Sequence, residues 1–357
     1  MKHSKSILAG LILVAAVIAL TIGYTAFSTS TRVTTLSGYA GGEKIGFLED
    51  PETTELLQKK YHLKLDYSKA GSLDMVTADQ TGRDFLWPSS QTALEYYKQA
   101  VGKPVKSEII FNTPIVLYTR KAVCDALMKK GIVSTDGTVY RIDMKQLAAL
   151  ISSGTSWADI GLTQLYGNIT VGTTDPTKSN SGNMFAGILA NTLAGGIANE
   201  QNIDDVLPEL QDIFSRLGYM ESSSSDIFDQ FLRTGMGAKP LIAGYESQLL
   251  EFAAENPDIW SQISGDVIML YPTPTAWSSH VFIATDEAAV PAIEALQDRD
   301  LQKLAWEKHG FRTGVSGAAA DTGAFTGINL AANVDSVVPL PDYPTMAKII
   351  AALRNNS

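Results

Sequence analysis

The sequence predicts an α/β protein of two α/β lobes joined by two crossing segments. Three observations point there. Short β-branched runs end in small polar loops that open helices, in both halves of the chain. Two longer β runs are broken by proline, at Asn112-Thr113-Pro114 and at Pro272-Thr273-Pro274-Thr275, which suits strands passing between lobes. The 357 residues, 45% apolar and 18% charged, suffice for two or three lobes with buried cores.

The elements follow in order. Lys2 and Lys5 precede a charge-free run from Ile7 to Leu20, and the uncharged stretch continues through Phe27. Ala26-Phe27-Ser28 suits cleavage of a secretory signal peptide. The uncharged span is about twenty residues, roughly 30 Å as helix, so residues 7–27 equally suit an uncleaved transmembrane anchor. Positive charge before the span places the remainder outside the cytoplasm, in a periplasm or on the outer face of the cytoplasmic membrane. Residues 1–30 are therefore leader or anchor, and 31–42, rich in Ser, Thr and Gly, read as a linker. Lys44–Leu48 reads as a strand. Pro51 opens a helix with Leu56, Leu57 and Tyr61 inward. Leu63–Tyr67 and Phe85–Trp87 are strands, each followed by a serine-started helix. The Ser107–Thr119 run carries Pro114 and reads as two pieces around a bend. Helices follow over Arg120–Lys130 and from Asp143 to Ile151, with a turn at Thr135–Thr138.

The central stretch is Asp175-Pro176-Thr177-Lys178-Ser179-Asn180-Ser181-Gly182. A β-branched run, Ile169–Thr174, leads into it, and Met184, Phe185, Ile188, Leu189 and Leu193 leave it at helical spacing. Ser179 and Ser181 both suit the helix cap, and a helix start offers N–H groups to an anion. An ordinary capped helix explains the same residues. The pattern returns at Pro240–Ala243, Gly244-Tyr245-Glu246-Ser247 and the helix Gln248–Glu255. Helices are further expected over Ile203–Leu217, Asp226–Arg233, Val290–Lys308 and Tyr343–Leu353, with residues 313–335 irregular.

Four segments in this order resemble the type II extracellular (periplasmic-type) solute-binding proteins of ABC transporters. They are Asp175–Gly182, Leu241–Glu246, Tyr271-Pro-Thr-Pro-Thr-Ala-Trp277 with His280, and Trp306-Glu-Lys-His-Gly-Phe-Arg312. The resemblance spans roughly residues 43–355. It implies the two-lobed type II periplasmic-binding-protein fold, with lobe one from 43–113 and 282–357 and lobe two from 114–281. It also implies a ligand between the lobes. The matching positions are Asp50, Ser72, Ser89, Ser90 and Thr113 from lobe one and the hinge. Lobe two matches at Lys178, Ser179, Ser181, Gly182, Tyr245 and Glu246, with Tyr271 and Trp277 near the return crossing.

Each position has a plainer explanation. Ser72, Ser89 and Asp50 also suit helix caps, Tyr245 and Trp277 suit the core, Glu246 suits a solvated helix start, and His280 suits a structural role. Two ligand classes stay open. Serine-rich helix starts and Lys178 favour an oxyanion or carboxylate; Asp50, Glu246, Tyr245 and Trp277 favour a cationic or polyhydroxylated solute. Net charge −10 disfavours nucleic acid. One cysteine, Cys124, and four histidines leave no disulfide framework or zinc cluster, so no metal and no cofactor is expected. No histidine stands beside a serine in a nucleophile pattern, so catalysis is not expected. The chain reads as a monomeric solute receptor serving an ABC permease. The alternative is a membrane-anchored sensor or accessory protein-binding domain that uses this fold without transport.

Overall fold

The computed structural model describes residues 32–314 and 321–354. The leader or anchor expected over residues 1–30 lies outside the described residues. Among the described residues, no helix is long and apolar enough to cross a membrane.

The chain opens with β1 (Thr34–Ala40), lying parallel between β2 (Leu63–Lys69) and β3 (Phe85–Trp87). This corrects the linker reading of 31–42. Buried Leu36, Gly38 and Ala40 alternate on one face, a period hidden by small residues. A side chain at Gly38 would strike the Phe85 ring, so glycine permits the close approach of β1 and β3. Lys44–Leu48 is also corrected, from strand to helix. A 3₁₀ turn (Gly42–Lys44) runs into α1 (Ile45–Glu49), which buries Phe47 and Leu48. Next, α2 (Pro51–Tyr61) starts at Asp50, whose carboxylate accepts from the N–H groups of Glu52 and Thr53. After β2 comes α3 (Asp74–Thr77), and β3 leads into α4 (Gln91–Ala100), capped by Ser90.

β4 (Lys106–Arg120) is one strand through Pro114, not two pieces. Its first half pairs with β9 (Trp277–Ala284) up to Pro114–Trp277. From Ile115 onward it pairs with β7 (Leu241–Tyr245) and then β8 (Val267–Thr273). Proline, having no N–H to donate, falls where the strand changes partners. β4 thus serves two sheets, and the β8–β9 passage makes the second crossing. The order across the whole is β2-β1-β3-β9-β4-β8-β6-β5, where β5 (Val133–Asp136) and β6 (Val139–Asp143) form a hairpin.

In the second half, α5 (Lys121–Lys129) buries Cys124, whose thiol burial pushes up to about 12. It is followed by α6 (Met144–Ser152), α7 (Asn180–Ala194), α8 (Ile203–Ser215), α9 (Ser224–Thr234), α10 (Glu246–Glu255) and α11 (Pro257–Ile263). Ile169–Thr174 is extended but not a regular strand; it makes single bridges from Gly172 to Ile242 and from Thr174 to Glu221. The last helix, α14 (Tyr343–Arg354), packs Met346, Ile349 and Leu353 into the core around α7 and α8, although the sequence reading put it with lobe one.

The helix expected over Val290–Lys308 is broken into α12 (Val290–Leu296) and α13 (Arg299–His309). Asp298 caps α13 and takes hydrogen bonds from Lys60 Nζ (2.8 Å) and the Tyr61 hydroxyl (2.5 Å). Burial works to raise its carboxyl, but Lys60, Tyr61 and the Asp300 N–H outweigh burial and hold it at about 2. Asp298→Ala is expected to lose about 1 kcal/mol of stability in urea unfolding, the usual value of a cap. A folded pKa below the unfolded value of about 3.9 makes this contribution complete above about pH 4. It is then lost as pH falls toward about 2, so wild type and variant should converge in acid.

Candidate functional site

Parallel strands deliver their following loops to one edge of the sheet, and there the two halves face each other. After β1 and β2, Gly41-Gly42-Glu43 and Lys69-Ala70-Gly71-Ser72 form one wall of a cleft of about 200 Å³; Lys178-Ser179-Asn180 and Ser222–Ser225 form the other. A second hollow of about 240 Å³ shares Gly42, Glu43 and Ser225 and continues to Ser247, Gln248, Glu251 and Glu255.

Two helices start on this cleft from the second half. α7 begins after Ser179 and α9 after Ser223. Neither serine hydroxyl bonds to the backbone of its own helix start. Elsewhere Asp50, Ser90, Asp143 and Asp298 all make that bond. First-turn N–H groups lack intrahelical acceptors, so both starts present donors and partial positive charge to the cleft.

Behind the cleft lies a buried polar cluster. Lys44 is fully buried, and its ammonium contacts Glu43 Oε1 at 2.5 Å, Ser89 Oγ at 2.7 Å and His280 Nδ1 at 3.2 Å. Ser89 Oγ also donates to Glu43. Burial lowers the Lys44 pKa, and the charge of Glu43 opposes this. Burial and then Lys44 hold His280 well below the usual histidine range, so its Nδ1 is a neutral acceptor. Asn180 Nδ2 bridges the halves, donating to the Ser89 carbonyl and the Tyr245 hydroxyl, each at 3.0 Å. Ser278 Oγ donates to the same carbonyl at 2.7 Å.

No protein-family model matches the chain, and no curated protein matches it. Solved structures do. Iron-bound HitA of Pseudomonas aeruginosa superposes with TM-score 0.59 at 11% identity, over 91% of this chain and 99% of that one. The periplasmic binding protein AfuA of Actinobacillus pleuropneumoniae, with fructose-6-phosphate bound, gives 0.58 at 12%, over 90% and 98%. The sulfate-binding protein SubI of Mycobacterium tuberculosis gives 0.52 at 16%, over 90% and 96%. The chain has the type II periplasmic-binding-protein fold.

Within this fold, the predicted positions divide. Ser72, Lys178 and Ser179 reach the cleft. Ser72 is also structural, since its Oγ accepts from the Ser89 N–H at 3.0 Å. Lys178 is largely exposed and pairs with Asp175 at 3.1 Å. Ser89 and Tyr245 lie in the buried cluster behind the cleft. Ser181 Oγ sits in a hydroxyl chain with Thr174 Oγ1 (2.8 Å) and Ser179 Oγ (3.2 Å), and it is not the cap. Gly182 lets the start of α7 lie against the Thr174 backbone.

The others are elsewhere. Asp50 caps α2 and pairs with Lys308 at 3.1 Å. Ser90 caps α4, and Thr113 Oγ1 accepts from the Ser247 N–H. Glu246 is fully buried and bound by Arg312, Nε–Oε1 at 2.6 Å and Nη2–Oε2 at 2.8 Å, with the Tyr271 hydroxyl donating to Oε2. Glu246 and Tyr271 are therefore bonded to each other and, through Glu246, to Arg312 inside the fold. Trp277 lines a larger cavity of about 650 Å³ with Trp306 and Arg312. That cavity lies on the α13 and β10 (Arg312–Thr313) side, away from the facing loops.

Sequence reasoning missed Glu43, Lys44, Lys69, Asn180, Ser223 and the site contact of His280. Asn180 stood inside the central motif, and Ser222–Ser225 form a run of four serines in the sequence. Lys44 was hidden by its apolar neighbours Ile45, Phe47 and Leu48.

Proposed function

We propose that the protein captures a small oxyanion or carboxylate outside the cytoplasm, between the half that holds β1–β3 and the half that holds α5–α10, and presents it to an ABC-type importer. The observation that carries the reading is the pair of helix starts, α7 and α9, converging on one cleft with neither serine cap bonded to the backbone of its own helix. Lys69 and Lys178 add positive charge at the rim. Two acids that would favour a cation are engaged elsewhere, Asp50 with Lys308 and Glu246 with Arg312. Sulfate and fructose-6-phosphate, named with two proteins of the same fold, belong to the oxyanion class.

The test is thermal unfolding of the full chain in mild detergent against sulfate, phosphate, small carboxylates, sugar phosphates, sugars and polyamines. A saturable rise in Tm with an oxyanion or carboxylate is expected, reflecting about 2.7 kcal/mol at a hundred times Kd. A rise with polyamines or sugars alone would replace this reading with the cationic or neutral class. Ser179→Ala with Ser223→Ala should weaken the anion at least tenfold, since hydrogen bonds to charged groups contribute about 1.5–3 kcal/mol. Lys178→Ala alone should change Kd by less than about fivefold, because exposed ion pairs contribute about 0–1 kcal/mol.

A further inference from the structure

A buried lysine needs an anion, because an unpaired charge away from water is costly. Lys44 has one from its own chain. Its three N–H groups meet Glu43 Oε1, Ser89 Oγ and His280 Nδ1, and Ser89 turns its own proton toward Glu43. Lys44, Ser89 and His280 are fully buried, whereas the Glu43 side chain is 13% exposed and lines both hollows of the cleft. Gly41 makes the space for this carboxylate. A Cβ there would fall on Glu43 Oε1 and lie 2.9 Å from Lys44 Nζ. A buried ammonium, a hydroxyl donor and a glycine-lined recess form an anion subsite, and a carboxylate occupies it.

We propose that Glu43 is a built-in competitor for the ligand. Its carboxylate fills the deepest anion position of the cleft, and an incoming oxyanion or carboxylate takes that position as Glu43 turns outward. The exchange keeps Lys44 paired in both states, so no buried charge is exposed along the way. Lys69 Nζ lies beside Gly42, the residue before Glu43, and supplies a cation for the displaced carboxylate. Affinity is then the difference between two ion pairs at Lys44, and a ligand needs an oxygen as compact and as strongly accepting as a carboxylate oxygen to win. Sugars and polyamines cannot make this exchange. The inference rests on the reading of the cleft as an anion site.

The experiment is calorimetric titration of the full chain with sulfate and with acetate, in wild type, Glu43→Gln, Glu43→Asp and Gly41→Ala. Removing or shortening the competitor should tighten the favoured anion at least tenfold in Glu43→Gln and measurably in Glu43→Asp. Gly41→Ala, which fills the recess, should weaken it at least tenfold. If Glu43→Gln folds poorly without an anion, sulfate should raise its Tm more than that of wild type, and Glu43→Asp, which keeps the charge, carries the titration. Wild-type binding with equal or weaker binding in both Glu43 variants would overturn the competitor and leave the anion reading standing. No anion binding in any of the four proteins would overturn both.

Discussion

Arg312→Met should lower the unfolding free energy by about 3–5 kcal/mol, the usual result of leaving one member of a buried ion pair alone. Arg312 is almost fully buried. Besides the two bonds to Glu246 it donates to the carbonyls of Ala331 and Ala332, at 2.5 and 3.0 Å. Glu246 opens α10, and Tyr271 closes the cluster by accepting from the Ala331 N–H at 3.1 Å. One side chain therefore ties β10, α10, β8 and the irregular segment before the last helix. Urea unfolding at neutral pH measures the loss. Combining it with Glu246→Leu should recover part of it, because the orphaned carboxylate is then gone. A loss below about 1 kcal/mol would mean that the pair is not a strut. Glu246→Gln should likewise act on stability and leave ligand preference unchanged, the reverse of what its place in a loop sequence suggests.

Gly182→Ala is expected to act on both stability and binding. The added Cβ would fall on the Thr174 carbonyl oxygen, a backbone atom with no flexible end to move aside. The start of α7 must then shift away from Thr174, which strains the Thr174–Ser181–Ser179 hydroxyl chain and the Asn180 bridge to Ser89 and Tyr245. Overpacking of this kind costs about 1–3 kcal/mol. Anion affinity should fall more than tenfold, since the helix start that faces the cleft is the part displaced. Unfolding and titration of the same preparation separate the two effects. Wild-type values in both would show that α7 can shift freely and that its start does not hold the ligand.

Some elements were legible because their signals are local. Pro51 after a capping Asp50, the β-branched run into β4 and the apolar stripe of α7 each depend on residues within a turn or two of one another. The errors have physical causes. β1 was missed because a strand between two parallel neighbours can alternate on small residues such as Gly38 and Ala40, which carry little hydrophobic signal. The Val290–Lys308 helix was joined across Asp298 because the break depends on Lys60 and Tyr61, more than 230 positions away. Pro114 was read as an interruption, yet the strand continues because its pairing partner changes at that point.

The sequence by itself determined the α/β pattern, the two crossings and the central loop before α7, because strand period, proline chemistry and helix capping are properties of short segments. It also determined that the chain could supply serine hydroxyls and helix starts in quantity. Only the tertiary structure decided which of them converge. Glu43 and Lys44 are adjacent in the chain, but their partners Ser89 and His280 come from β3 and β9 loops and strands far along it. Glu246 and Asp50 looked like ligand acids until folding placed Arg312 and Lys308 against them. An ionisable side chain takes its role from the charges that folding brings within a few ångströms, and those neighbours are fixed by the packing of distant segments.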